Sequence, residues 1–208
     1  MGKYIKQTIR VLFSIFLIIS SVTFLNYATK TKVKFFNKID LINKVIMKPK
    51  INNISDLFPQ REKRAGIERF IVIHHEAVQN SSGVMAVNQY HQVANNWRSI
   101  AYHFYITKAG KIYQCLDIDK KNASELNHNN ESISICIQGN FDIEKPSRKQ
   151  YLQLLKLCKK LELKYPTAEI LGHNSFAKKT CPGKNIDIEK IKTELENLHF
   201  LKFLKNEK

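Results

Sequence analysis

The stretch Arg69-Phe-Ile-Val-Ile-His-His75 decides the fold class of this 208-residue chain. Its apolar centre is too short for a helix of ordinary length and rich in β-branched residues, so it reads as a buried strand ending in two histidines. Working outward, Gly83 to Asn96 reads as a helix with Val84, Val87, Tyr90, His91 and Ala94 on one face. Ile100 to Thr107 is a second strand, and Lys108-Ala-Gly110 turns it into Lys111–Leu116, which suggests a hairpin. Ser132 to Gln138 alternates through Ile133, Ile135 and Ile137. Ser147 is placed as the N-cap of a helix to about Tyr165, with Tyr151, Leu154, Leu155, Cys158 and Leu161 inward. Ala168–Leu171 is a short strand, and Asp187 opens a last amphipathic helix. The alternation of strands and helices predicts an α/β class, with a mixed central β-sheet flanked by helices.

Upstream of this pattern the composition changes. The chain carries 34 Lys and Arg against 18 Asp and Glu, a net charge of +16, and residues 1–70 hold 14 of those bases against 4 acids. A nucleic-acid surface would interleave basic and aromatic residues across the domain. Here the bases sit beside an apolar run, Val11 to Leu25, and no charge falls between Arg10 and Lys30. A helix of that uncharged length nearly crosses a hydrocarbon core of roughly 30 Å. Lys3, Lys6 and Arg10 place the N-terminus in the cytoplasm by the positive-inside rule. An uncleaved signal anchor over residues 1–28 is the expectation. A cleaved signal, with a secreted product, is the alternative, although Asn26-Tyr27-Ala28 matches an A-x-A-like cleavage site poorly. Either outcome carries the rest of the chain to the extracytoplasmic side. Residues 29–66, rich in Lys and Asn, read as a basic tether, solvated or lying on anionic lipid, and residues 67–208 as a single domain.

Three groups could carry metal chemistry. They are His74-His75 at the end of the first strand, His173 after Gly172, and Cys181 in Cys-Pro-Gly. Catalytic zinc sites commonly combine three such donors with an open fourth position. Spacing alone leaves His74-His75 open as core or surface histidines. His91 and His103 fall within helix and strand patterns as structural residues. Cys115, Cys136 and Cys158 lie in apolar patterns, where buried free thiols are the default, although export would permit a disulfide. No C-x-x-C pair is present to suggest a zinc ribbon or a redox motif.

Taken together, several stretches resemble the zinc amidases that cut N-acetylmuramoyl-L-alanine bonds, the group shared by phage lysozyme-type amidases and peptidoglycan recognition proteins. They are Ile71-Val-Ile-His-His75, Trp97-Arg-Ser-Ile-Ala-Tyr-His-Phe104, Gly110-Lys-Ile-Tyr113, Ser132-Ile-Ser-Ile-Cys-Ile-Gln-Gly139, Leu171-Gly-His173 and Lys179-Thr-Cys-Pro-Gly183, in the family's order. The resemblance implies one zinc ion per chain with His74, His173 and Cys181 as ligands, and His75 as a packing neighbour. It implies that Tyr102 and Lys179 assist catalysis. It implies cleavage of the amide between N-acetylmuramic acid and L-alanine of peptidoglycan, with muropeptides as substrate. The charge distribution argues against a nucleic-acid partner, and a monomer is the expectation. A non-catalytic peptidoglycan receptor and a phage-type lysis enzyme are the alternatives, and the retained Cys181 and Lys179 favour catalysis over the receptor.

Three departures stand out. Some members of the family place a Glu where this chain has Cys136. Glu76 replaces a more usual Thr or Ser, and could orient a zinc ligand, contact substrate or face solvent. The family's His ahead of the Ser-Ile strand has no clear counterpart, since His128 sits too close to Ser132.

Overall fold

The computed structural model describes residues 48–206, together with residues 23, 26, 27, 29 and 30. The chain divides into two compact units, Met1–Lys44 and Val45–Lys208. In the first unit the described residues are helical, and the Thr29 hydroxyl donates to the Asn26 carbonyl at 3.0 Å. The expected membrane segment Val11–Leu25 lies outside the described residues except for Thr23. Among the described residues no helix is long and apolar enough to cross a membrane.

The second unit is built on six strands. These are β1 (Ile51–Asn53), β2 (Phe70–His75), β3 (Phe104–Ile106), β4 (Ile112–Gln114), β5 (Ser132–Ile137) and β6 (Glu169–Gly172). Three helices accompany them: α1 (Val84–Val93), α2 (Arg148–Lys164) and α3 (Ile188–Asn206). The sheet order is β1-β4-β3-β5-β2-β6. The β3–β4 pair is the antiparallel hairpin expected from the Ala-Gly turn, and the other four pairings are parallel. The mixed α/β sheet is therefore the one the alternation predicts.

The pleat divides this sheet into two chemically different sides. In the β2–β5 register Ile73 faces Ile135 and His74 faces Cys136, while β3 places Phe104 beside Ile135 and Tyr105 beside Cys136. Successive residues alternate sides. Ile71, Ile73, Ile133, Ile135, Ile137, Phe104, Ile106 and Ile112 thus line one side, and all are buried. Phe104 lines a cavity there together with Leu161 of α2 and Tyr165 just beyond its end. Phe70, Val72, His74, Ser132, Ser134, Cys136 and Tyr105 line the other. On that side Tyr105 and Cys136 join Phe58, Ile100, Cys115 and Leu116 in a core, against which Val84 and Val87 of α1 pack.

Helix α2 starts where the sequence places it. The Ser147 hydroxyl accepts from the Gln150 N–H at 3.1 Å, and the Gln150 side chain accepts from the Ser147 N–H at 3.0 Å, a complete capping box. Leu154, Leu155, Cys158 and Leu161 are buried as predicted. At α3 the Asp187 carboxylate accepts from the Lys190 N–H at 2.9 Å.

Two expectations need correction. The last part of the supposed tether belongs to the domain. β1 pairs with β4, Phe58 is buried, and the Gln60 amide donates to the Ser55, Phe58 and Cys115 carbonyls at 2.8, 3.1 and 3.3 Å. Arg61 and Arg64 donate to the Ser99 and Ser132 carbonyls at 2.7 and 3.2 Å. A three-residue edge strand and scattered polar anchors leave no periodicity to read. The second correction concerns α1. Its predicted inner face is too wide, because Tyr90 and Ala94 are exposed while Asn88 turns inward to accept from the Ile100 N–H at 2.8 Å.

Candidate metal centre

β2 and β6 are adjacent and parallel, with Ile73 opposite Gly172. The next residue of each strand path is a histidine, so the register alone sets His74 beside His173, with ring centroids 4.6 Å apart. The third member arrives by a loop. The Asn174 N–H donates to the Cys181 carbonyl at 2.8 Å, folding the Cys-Pro-Gly segment back over the strand ends. Two glycines permit that approach. A Cβ on Gly172 would lie 2.8 Å from Pro182, and Gly183, at φ +98°, would place one 2.5 Å from the Phe141 backbone.

His74 Nδ1 is 3.7 Å from Cys181 Sγ, and the ligand atoms of His74, His173 and Cys181 all lie within 4.8 Å of one another. Such separations suit N and S donors about 2.0–2.3 Å from a single ion. Two imidazoles and a thiol are also the donors that borderline-soft metals select. The three residues therefore fit a metal ion. Burial, and then the neighbouring His74, lowers the His173 pKa to about 4, which keeps this ring in its neutral, ligating form. Burial also disfavours charge on His74, but the Glu125 carboxylate and Cys181 outweigh it and raise the pKa to about 9.

The cluster opens onto a groove of about 720 Å³, lined also by Glu76, His91, Trp97, Tyr102 and Lys179. The Tyr102 ring lies 5.2 Å from His74 and 5.4 Å from His91. Burial first, then the nearby thiols of Cys136 and Cys181, push its pKa well above the ordinary tyrosine value, so Tyr102 remains an O–H donor. Lys179 is exposed at the groove edge. The structure thus brings together all five residues singled out from the sequence.

Four other histidines, His75, His91, His103 and His128, are engaged in packing and hydrogen bonds. His75 points to the isoleucine side, where its Nδ1 accepts from the Phe141 N–H at 3.1 Å and its ring stacks on Phe141. His91 Nδ1 accepts from the Ala101 N–H at 3.2 Å. His103 Nδ1 accepts from the Ser134 N–H at 3.1 Å, which leaves Nε2–H to donate to the Lys120 carbonyl at 3.0 Å. His128 pairs with Glu131 and packs against Phe70 and Phe176, away from the cluster. All four cysteines are free.

Glu76 anchors a groove wall. Its carboxylate accepts from the Ser81 hydroxyl at 2.8 Å, from the Tyr105 hydroxyl, and from the Gly139 N–H at 3.2 Å. Burial raises its pKa. Sequence reasoning missed Glu125, a fully buried carboxylate in contact with His74 Nε2. It lies 51 residues from its partner, in an Asn-rich segment with no periodicity, so no local signal marks it.

Comparison with known proteins agrees with this geometry. A family model described as N-acetylmuramoyl-L-alanine amidase matches residues 64–184, more than half of the chain, and the chain belongs to that family. Among particular relatives, the endolysin of Klebsiella phage KP32 is 27% identical over 108 residues, covering 49% of this chain and 70% of the phage protein. A peptidoglycan-recognition protein of Drosophila simulans is 26% identical over 128 residues, covering 57% of this chain and 70% of the fly protein. Of the solved structures, the endolysin amidase LysCS from Clostridium intestinale aligns with a TM-score of 0.65 at 27% identity, over 72% of this chain and 97% of its own. Drosophila PGRP-LB aligns with a TM-score of 0.59 at 23% identity, over 69% and 93%, a likeness of fold.

Proposed function

We propose that this chain is a zinc hydrolase that cleaves the amide bond between N-acetylmuramic acid and L-alanine of peptidoglycan. One observation carries the reading: the ligand atoms of His74, His173 and Cys181 converge within 4.8 Å, and the two histidines line a groove together with Tyr102 and Lys179. Zinc held by these three residues would supply Lewis acidity, polarising the scissile carbonyl and acidifying water toward a pKa of ~7. The chain's own groups do the rest. Lys179 brings an ammonium to the groove edge, where it stabilises the oxyanion that develops as the carbonyl becomes tetrahedral. Tyr102, held protonated, donates a hydrogen bond to that oxyanion or to the attacking water, or relays a proton to the departing L-alanine amine. Cys136 stands where some amidases carry a Glu, and burial raises its thiol pKa well above the usual value, so it takes no part as a base.

Peptidoglycan fragments as substrate are also supported by a structural neighbour of the same fold, a Drosophila PGRP-LB variant described in complex with tracheal cytotoxin. The test combines metal analysis with mass spectrometry of muropeptides digested by the purified chain. About one zinc per chain, and release of free stem peptides beginning at L-alanine, is the expected result. Intact muropeptides after incubation with the zinc-loaded protein would overturn the hydrolase reading in favour of a receptor.

The endolysin relatives favour a second reading of the biological role, lysis by a phage-type enzyme. We place the chain instead in wall turnover, anchored by Val11–Leu25 with residues 30–208 outside the cytoplasmic membrane. The length and apolarity of that run support an anchor, and the bases before it support this orientation. A reporter fused after Lys208 that works only in the cytoplasm would contradict the topology. A soluble product starting near Thr29 would identify a cleaved signal.

A further inference from the structure

Glu125 has no exposed surface, yet it is a carboxylate beneath the candidate metal centre. Such a group is costly to bury unless every lone pair is engaged. Here each oxygen is. Oε1 accepts from His74 Nε2–H and from the Ser124 hydroxyl at 3.0 Å, and Oε2 lies 2.8 Å from the Ser132 hydroxyl. The backbone is held as well, because the Glu125 N–H donates to Asn129 Oδ1 at 2.8 Å. Ser132 is the first residue of β5, so the carboxylate is tied to the same sheet that carries His74.

The consequence falls on one ring. With Nε2–H committed to Glu125, the neutral, ligating form of His74 carries its lone pair on Nδ1, and Nδ1 is the atom that points toward Cys181 Sγ. A histidine free to rotate would sample both nitrogens and several ring angles, and would lose that freedom on binding an ion. We propose that Glu125 is the positioning residue of the metal centre, holding His74 as the Nε2–H tautomer with Nδ1 aimed at the ion. The assignment rests on the metal-site reading above and adds to it a residue outside the ligand set. Carboxylates in this position also raise the basicity of the ligating nitrogen. Ser124 and Ser132 aim the carboxylate in turn.

Two variants separate positioning from plain structural support. Glu125→Gln keeps an oxygen able to accept from Nε2–H but removes the charge, and Glu125→Ala removes both. Glu131→Gln, nearby and paired with Arg69 and His128, serves as a control. Zinc affinity is measured by competition with a chelator, cobalt(II) absorption reports ligand geometry, and thermal unfolding without metal reports the scaffold. The expected loss of zinc affinity is about 10-fold for Glu125→Gln and up to about 100-fold for Glu125→Ala, with altered cobalt bands and no change in Glu131→Gln. A purely structural Glu125 would lower the unfolding midpoint and leave affinity and cobalt bands at wild-type values, which overturns the proposal. If Glu125→Ala does not fold, Glu125→Gln alone decides by the same criteria. A wild-type chain that binds neither ion overturns the metal reading and this assignment with it; tight wild-type binding with unaffected variants overturns this assignment alone.

Discussion

The two sides of the sheet solve the problem of burial in different ways. On the side facing α2, rows of isoleucine from β2 and β5 meet Phe104 and the leucines of α2, and apolar area removed from water is the stabilising term. On the side facing α1, β2, β5 and β3 bury His74, Ser132, Ser134 and Tyr105, and there stability depends on pairing each polar group. Ser134 meets His103, Ser132 meets Glu125, and Tyr105 meets Glu76. His74 and His75 show the division most sharply. One residue apart, they point to opposite sides, one into the candidate metal cluster and the other onto Phe141. The pleat lets one sheet carry its chemistry on one side and much of its apolar stability on the other.

That separation can be tested by changing one side and reading both. The largest effect is expected from Cys181→Ser, which removes the third donor from the polar side. Amidase activity should be lost while circular dichroism and the unfolding transition stay near wild type. Full activity in this variant, or in a thoroughly chelated sample, would remove the mechanism. Next comes Lys179→Ala, expected to lower kcat by on the order of 10²–10³, about 3–4 kcal/mol, with zinc content and KM little changed. Steady-state kinetics on a soluble muropeptide at two salt concentrations checks it. A salt-sensitive rise in KM at constant kcat would return Lys179 to the solvated surface.

The isoleucine side should respond in the opposite sense. Ile135→Ala leaves a cavity between Phe104 and Ile73 and should cost about 3 kcal/mol of stability by urea unfolding, while zinc affinity in the folded protein is retained. An equal loss of affinity would mean that the two sides are coupled.

Acid should act mainly through the polar side. Burial lowers His91 and His103 from 6.5 to about 4, so both are neutral in the fold. Between those values the unfolded chain binds more protons, and stability rises with pH. The contribution is present above about pH 6.5 and lost as pH falls toward about 4, by at most about 1.4 kcal/mol per pH unit for each proton. Urea midpoints across that window measure it, and a flat profile would contradict the buried neutral state. The smallest effect belongs to Ser147→Ala at the start of α2. It should cost about 1 kcal/mol and leave metal binding unchanged.

The sequence by itself determined what local pattern can encode. Alternation in Ser132-Ile-Ser-Ile-Cys-Ile marks β5 and its two sides, Ser147 marks the start of α2, and the ordered motifs single out His74, His173 and Cys181. Each is legible because a side-chain period or a capping bond spans only a few residues. Only the tertiary structure decided the rest. β1 is a strand because β4 offers it an edge, and its three residues, two of them asparagine, carry no period of their own. Tyr90 is exposed because Asn88, not Tyr90, faces the Ile100 backbone. Glu125 meets His74 because the loop before β5 folds back over the polar side of the sheet, held there by the Ala123 N–H on the Ala101 carbonyl and by the Ser132 hydroxyl on Glu125. Contacts of that kind are set by strand order and by the burial of a charge, and neither quantity exists until the chain has closed on itself.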